Sequence, residues 1–429
     1  MRNLSGLRKG VLGVLGAVFS AGVPAAFAYG QAQDQVVNDQ AKAIHDAAIV
    51  VDAHEGTPQR FLADGYDLGS DDPNNQEFIS LDRAHAGNLG AVFFSIRVDP
   101  DLYKDHYAKR ALDLIDTVHE QVERHGERTA LAMSADEIEE AHRQKKLALL
   151  MGMEGGHPIE NDLRLLHEYY RLGVRYMTPT WSNSNEWADA GADAENANGG
   201  KQEGLTDFGK KVVEEMNQLG MMVDVSHVSD KTFADVMETT KAPVIASHSG
   251  ARALADVPRN MSDDMLKAVA KNGGVVNVAF ASMFLDANIA KAAIPQHQRL
   301  QAAVAEFKAQ QKTAGNVIGD ADIQKFERDW LGKNKLPRAP FKSLIDQIDH
   351  VAKIAGVDHT GIGGDFDGVD FSVEGVNSAA DLPKVTAALL ERGYDADAIK
   401  KILGGNMLRV MRDVERIGAQ TRGDNPSVK

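Results

Sequence analysis

The 429-residue chain has 43% hydrophobic and 25% charged residues, the balance of an ordinary soluble globular protein long enough for a closed core. Its net charge of −15 argues against nucleic acid as a partner. With no cysteine there are neither disulfides nor thiolate ligands, so any metal must be held by histidine and carboxylate, a donor set that suits zinc, manganese or iron.

The first 28 residues read as a signal peptide. Arg2, Arg8 and Lys9 form a positive head, residues 11–19 an apolar stretch, and Ala26-Phe27-Ala28 a small-x-small cleavage site. The alternative is an N-terminal membrane anchor, but the apolar run is short for a span. The mature protein is therefore expected to be periplasmic or secreted, with no stable membrane span after cleavage. Residues 29–429 are expected to form a single catalytic domain.

Eight short apolar runs follow, at 49–54, 91–97, 148–154, 174–180, 221–227, 243–249, 273–280 and 360–365. They are rich in Val, Ile, Met and Phe and alternate with amphipathic helical patterns over 107–124, 135–143, 163–172, 206–219 and 263–271. Buried parallel strands read this way, and the alternation predicts an α/β fold of the (β/α)8 TIM-barrel type. Ser134 is the expected N-cap of the second helix, with Glu137 completing a capping box. Two segments exceed ordinary loops, at about 182–206 and 283–340. Both leave the catalytic side of the barrel, so a lid, specificity or subunit-contact role is expected of them, and a homodimer is compatible with that.

Five of the eight runs end on or beside a residue that binds metal or moves protons: His54, Glu154, His227, His248 and Asp365. In a barrel the C-terminal strand ends share one mouth, so these five are expected to converge. His227 and His248 end consecutive strands roughly 4.8 Å apart, close enough to share an ion. Glu154 at a buried strand end is costly without a cation, and a carboxylate between two metal positions is the usual bridge of a two-metal hydrolytic centre. Asp365, in Gly363-Gly364-Asp365-Phe366-Asp367-Gly368, is placed to move protons. Any one of these histidines taken alone is more often a hydrogen-bonded structural residue; the joint placement carries the ligand reading. His157, close behind Glu154, is left open. The glycine runs are not phosphate loops, because no Gly-Lys-Ser/Thr follows them.

Together, Met153-Glu154-Gly155-Gly156-His157, Leu172-Gly173-Val174-Arg175-Tyr176-Met177-Thr178, Met222-Val223-Asp224-Val225-Ser226-His227-Val228-Ser229-Asp230, Pro258-Arg259-Asn260 and the runs 243–252, 361–368 and 404–410 resemble the membrane (renal-type) dipeptidase family of zinc peptidases, within the amidohydrolase-like barrels. The resemblance covers residues 45–415. It implies an exported enzyme that hydrolyses the peptide bond of dipeptides and carries Zn2+, one or two per chain. It assigns His54 to a first metal, Glu154 to both, His227 and His248 to a second, Asp365 to proton transfer and Arg259 to the substrate carboxylate. Two departures stand out. The family's His-x-Asp reads His54-Glu55-Gly56 here, so the first metal site lacks its aspartate; restoring it with Gly56→Asp is expected to tighten that site if the backbone is strand-like. Trp181 stands where renal members carry a histidine that helps stabilise the tetrahedral intermediate, so either another donor does this work or the substrate differs. The alternatives are a metal-dependent hydrolase of another small amide, ester or lactam, and a metal-binding relative that has lost turnover.

Overall fold

In the computed structural model, which describes residues 38–70, 78–194, 203–316, 318–368 and 372–424, the apolar runs become parallel strands. The leader expected over 1–28 lies outside the described residues. The strands are β1 (Val50–Glu55), β2 (Leu89–Arg97), β3 (Thr129–Leu131), β4 (Leu147–Glu154), β5 (Val174–Met177), β6 (Met222–Val223), β7 (Ile245–Ser249), β8 (Val275–Ala279) and β9 (Thr360–Gly363).

One ladder runs β1-β2-β4-β5-β6 and another β7-β8-β9. Backbone bonds join them at two seams. Between β6 and β7, Val225 N donates to Ile245 O at 2.7 Å. Between β9 and β1, Asp365 N donates to His54 O at 2.9 Å and Gly56 N to Phe366 O at 3.0 Å. The ring so closed is a (β/α)8 barrel. The short strand β3 is additional to it: it pairs with Leu147–Leu149 of β4, while β5 pairs further along, at Met151–Met153.

Alternation sets the two faces of each strand. Val51, Ala53, Ala91, Phe93, Ala148, Leu150 and Tyr176 pack together inside the barrel. Val50, Val92, Phe94, Leu149, Met151, Met153 and Val174 point outward, against helix faces such as Ala111, Leu114, Ile115 and Val118 of the helix Tyr107–Arg124. Gly152 of β4 must lack a side chain, because a Cβ there would enter the Tyr176 ring. The C-terminal helix Asn406–Asp424 joins the inner cluster through Met407, Val410, Met411 and Val414. Asn406 Nδ2 anchors it by donating to Val357 O at 2.6 Å and Thr360 O at 2.8 Å.

Four differences from the sequence expectations concern the strands and a cap. β3 was not expected. The run 221–227 is a strand only over Met222–Val223, because Asp224 draws backbone N–H groups to its carboxylate, and β9 stops at Gly363. Ser134 caps its helix as expected, accepting from Glu137 N at 3.2 Å, but Glu137 Oε2 returns to Met133 N. After β8, the segment expected to be an insertion carries the helices Ser282–Leu285, Ala287–Thr313 and Asp320–Lys333. Among the described residues no helix is long and apolar enough to cross a membrane.

Candidate active site

The five strand-end residues meet at the C-terminal mouth. Glu154 lies at the centre. Its Oε2 is 3.4 Å from His54 Nε2 and its Oε1 is 2.9 Å from His227 Nε2 and 3.6 Å from His248 Nε2. The two Nε2 atoms of His227 and His248 are 2.9 Å apart, and the His54 ring stacks on His248 at 3.7 Å between centroids. Asp365 Oδ1 stands 3.9 Å from His54 Nε2.

Local backbone explains the aim of two of these groups. His227 (φ 66°) and Asp365 (φ 53°) sit past their strand ends in left-handed conformation, a strained geometry that concentrates at functional sites. It turns each side chain back over the mouth.

Two of the imidazoles, His54 and His248, are held by partners on their far nitrogens. Tyr176 Oη lies 2.7 Å from His54 Nδ1 and 3.3 Å from Ala53 O. With the hydroxyl proton on Ala53 O, His54 Nδ1–H donates to Tyr176 Oη, and Nε2 is the nitrogen turned to Glu154, where it carries a proton beside the carboxylate or gives it up to a cation. His248 Nδ1 lies 2.8 Å from Ser247 Oγ, which donates to Asp224 Oδ2 at 2.6 Å. Asp224 also accepts from Thr178 Oγ1 at 2.7 Å, Ser247 N at 2.8 Å and Ser226 N at 3.0 Å, so its carboxylate is fully engaged in fixing two strand ends. Ser95 Oγ donates to Glu154 Oε2 at 2.7 Å.

Electrostatics follows this geometry. Burial pushes the Glu154 carboxyl up, but the His54 charge and hydrogen bonds from all three imidazoles outweigh it and hold it well below the usual range. Burial, reinforced by the Arg259 charge, takes His227 down to about 4, and burial with the His54 charge takes His248 well below its ordinary value. Both imidazoles are therefore neutral at pH 7. Burial raises Asp365 to about 7, against the cationic pull of His54, Arg259 and Arg97.

This donor set fits a metal ion. His54, Glu154 and His248 each offer a ligand atom within 4.8 Å of the others, and His227 adds a fourth. Three imidazole Nε2 atoms turned on one ionised carboxylate are a nitrogen and oxygen donor set of the kind that holds a divalent cation once those nitrogens release their protons. A second ion is less well provided for. A bulge in β1 between Asp52 and Glu55 sends Glu55 away from the cluster, where its Oε1 accepts from Phe366 N at 3.1 Å. Burial and the neighbouring Asp52 charge raise Glu55 well above the usual carboxyl range. Gly56 lies one residue past the end of β1, and a Cβ there would lie 2.6 Å from Gly368 N and 2.8 Å from Asp367 C. The condition on which Gly56→Asp was expected to tighten the first site, a strand-like backbone, is therefore not met, and the backbone of the turn after β9 fills the place of that side chain.

The other sequence candidates separate cleanly. Arg259 reaches the site: Nη2 donates to His248 O at 3.2 Å, the guanidinium lies 5.0 Å over the Phe284 ring, and Nη1 is buried without a hydrogen-bond partner among the described residues. His157 is tied to Val98 O at 2.8 Å and set edge-on to Tyr107, outside the donor cluster. Asp367 accepts from Thr57 Oγ1 at 2.9 Å. Tyr176, Asp224, Ser247, Ser95 and Arg97 had no role in the sequence reading. A signal for two of them was present, an acid and a tyrosine inside otherwise apolar buried runs.

A parallel barrel whose mouth gathers three imidazoles and two carboxyl groups is the architecture of the metal-dependent hydrolases. The chain belongs to the membrane dipeptidase family (peptidase family M19), whose sequence model matches residues 38–425. It is 32% identical to human Dipeptidase 3 over 391 residues, 90% of this chain and 69% of the relative. It is 31% identical to Dipeptidase tcpJ of Claviceps purpurea over 353 residues, 80% of this chain and 71% of that one. Among solved structures, the probable dipeptidase PvdM from Pseudomonas aeruginosa superposes with a TM-score of 0.75 at 26% identity, over 89% of this chain and 99% of that one. A Rhodobacter sphaeroides metallopeptidase liganded with a phosphinate mimic of L-Ala-D-Ala shares the fold, with a TM-score of 0.68 at 23% identity over 86% of this chain and 99% of that one.

Proposed function

We propose that the protein is an exported, zinc-dependent dipeptidase. The observation that carries this reading is the convergence of His54, His227 and His248 Nε2 on the Glu154 carboxylate. A divalent cation bound there supplies the Lewis acidity that makes water nucleophilic near neutral pH. Arg259 holds the substrate's C-terminal carboxylate with its unpaired Nη1, a task suited to a planar fork of donors. Asp365 takes the proton of the attacking water and returns it to the departing amine. The C–N bond breaks and two amino acids leave. Tyr176 and the Asp224–Ser247 pair keep the imidazoles in the tautomer that exposes Nε2. Export rests on the leader-like residues 1–28, and the mature chain is assigned to the periplasm or the exterior.

The test combines metal analysis of the purified protein with a panel of dipeptides, N-blocked dipeptides, esters and lactams. Zinc in the protein and cleavage of free dipeptides alone support the reading. Cleavage confined to esters or lactams moves the enzyme to another small substrate, and bound metal without any turnover marks a relative that has lost catalysis. Sequencing the N-terminus of the exported protein tests cleavage after Ala28.

A further inference from the structure

We propose that Arg97 is a catalytic residue, donating hydrogen bonds to the oxygen of the scissile carbonyl as negative charge gathers on it. The proposal rests on the dipeptidase reading above. The inner row of β2 runs Ala91, Phe93, Ser95, Arg97. The first two pack in the barrel core and the third hydrogen-bonds Glu154. Arg97 is the last residue of the row and pairs in register with Glu154 of β4. Partners in a parallel ladder project from the same face, so its guanidinium rises beside the carboxylate at the centre of the site.

Three observations set it apart from a structural arginine. Its Nε stands 3.9 Å from Glu154 Oε2, near enough for attraction and too far for a hydrogen bond. Among the described residues the guanidinium makes no hydrogen bond; it lies 4.9 Å over the Trp181 ring, which supports it from below. The side chain is 26% exposed, against 6% for the Glu154 carboxylate beside it, so it remains open to an incoming molecule. Its backbone is fixed by Gln59 Nε2, which donates to Arg97 O at 2.6 Å, and Gln59 in turn accepts from Arg110 Nη2 at 3.2 Å. The other cation of the site, Arg259, leans on His248 O and Phe284. Two arginines thus serve two oxygens of one substrate: Arg259 the terminal carboxylate, Arg97 the carbonyl under attack. Trp181 has no charge to give an oxyanion, and the arginine above it is the donor that takes over.

Chemically, water adds to the carbonyl carbon and the π electrons move onto the oxygen, which then accepts hydrogen bonds from the N–H groups of Arg97. When the C–N bond breaks, those electrons re-form the carbonyl and the amine leaves with the proton carried by Asp365. Because the charge exists only in the intermediate, Arg97 favours the transition state over bound substrate.

The test uses Arg97→Met and Arg97→Lys in the metal-loaded enzyme, with a dipeptide substrate and a phosphinate dipeptide mimic, whose anionic tetrahedral group copies the intermediate. At equal metal content, Arg97→Met should lower kcat by about 10²–10³-fold with little change in KM. Calorimetry should show phosphinate affinity falling by a similar factor, and Arg97→Lys should recover part of both. A raised KM with unchanged kcat would make Arg97 a contact to a substrate side chain and overturn the proposal. So would unchanged phosphinate binding, or loss of metal in both variants. If the wild type cleaves no dipeptide yet binds the phosphinate through Arg97, the dipeptidase reading fails and the role of Arg97 stands.

Discussion

Adding a single methyl at position 56 should damage this enzyme more than its size implies. Gly56 follows the β1 bulge and donates to Phe366 O, so it is seated on the turn that carries Asp365. A Cβ at 56 would sit 2.6 Å from Gly368 N, 2.7 Å from Gly368 Cα and 2.8 Å from Asp367 C, all of them backbone, where ordinary contact begins at 3.4 Å. The turn must therefore move, and no flexible side chain can yield in its place. Overpacking of this kind costs about 1–3 kcal/mol. Displacing a catalytic group by about 1 Å costs on the order of 10² in rate. Gly56→Ala is thus expected to lower the melting temperature by a few degrees and kcat by about 10- to 100-fold. Gly56→Asp should do at least as much harm and should not add a second firmly held ion. Thermal melts, turnover at matched metal content and metal analysis after dialysis read these effects. Wild-type stability and kcat in Gly56→Ala, or two tightly held ions in an active Gly56→Asp enzyme, would refute the reasoning.

Asp365→Asn keeps size and removes basicity, so kcat should fall by about 10²–10⁴-fold with the metal retained, whereas Asp367→Asn, which touches Thr57 and not the donor cluster, should keep most activity; the reverse ranking in steady-state assays would show that the proton carrier is misassigned. Arg259→Lys should weaken substrate binding despite keeping the charge, and amidating the substrate's C-terminus should hurt the wild type far more than the variant; equal losses would remove Arg259 from carboxylate recognition. His45 is buried between Thr386 Oγ1 at 2.7 Å and Gly87 O at 2.8 Å, and burial lowers its pKa from 6.5. Because the unfolded chain then binds the proton more readily, its contribution to stability is present above about pH 6.5 and is lost as pH falls below that value. In denaturant titrations His45→Gln should flatten the loss of stability between pH 7 and 5; parallel profiles would contradict this.

Most of the barrel was legible because its strands are buried on both faces and read as unbroken apolar runs. The helices Tyr107–Arg124, Ala135–Arg143 and Asp263–Asn272 lie within a residue of the ranges expected from their amphipathic period. What the sequence concealed is non-local. β3 is three residues long and gains its identity only from β4. Residues 224–227 read as strand by composition, yet the Asp224 carboxylate competes with the ladder for the N–H groups of Ser226 and Ser247. The five converging side chains were found from their positions at strand ends. Their supports were not, because a pairing such as His54 with Tyr176 spans 122 positions and leaves no local trace. Arg97 is the sharpest case: in sequence it is an unremarked base closing the run 91–97, and only the register with Glu154 sets it beside the site.

The seam between β9 and β1 has a kinetic consequence. Residues 54 and 365 are stitched together by one backbone bond, yet they are the first and last contributors to the mouth. Contacts of such long sequence separation form late and slowly, after the loop-closure entropy has been met. Ring closure and assembly of the full donor set are therefore expected to be a single late event, leaving chains stalled before it without the complete pocket for a cation. An ion that binds only the closed ring acts as a latch, slowing reopening in proportion to how tightly it is held. Chelation should then speed unfolding far more than it slows folding, and the β9–β1 seam is where the barrel should first come apart.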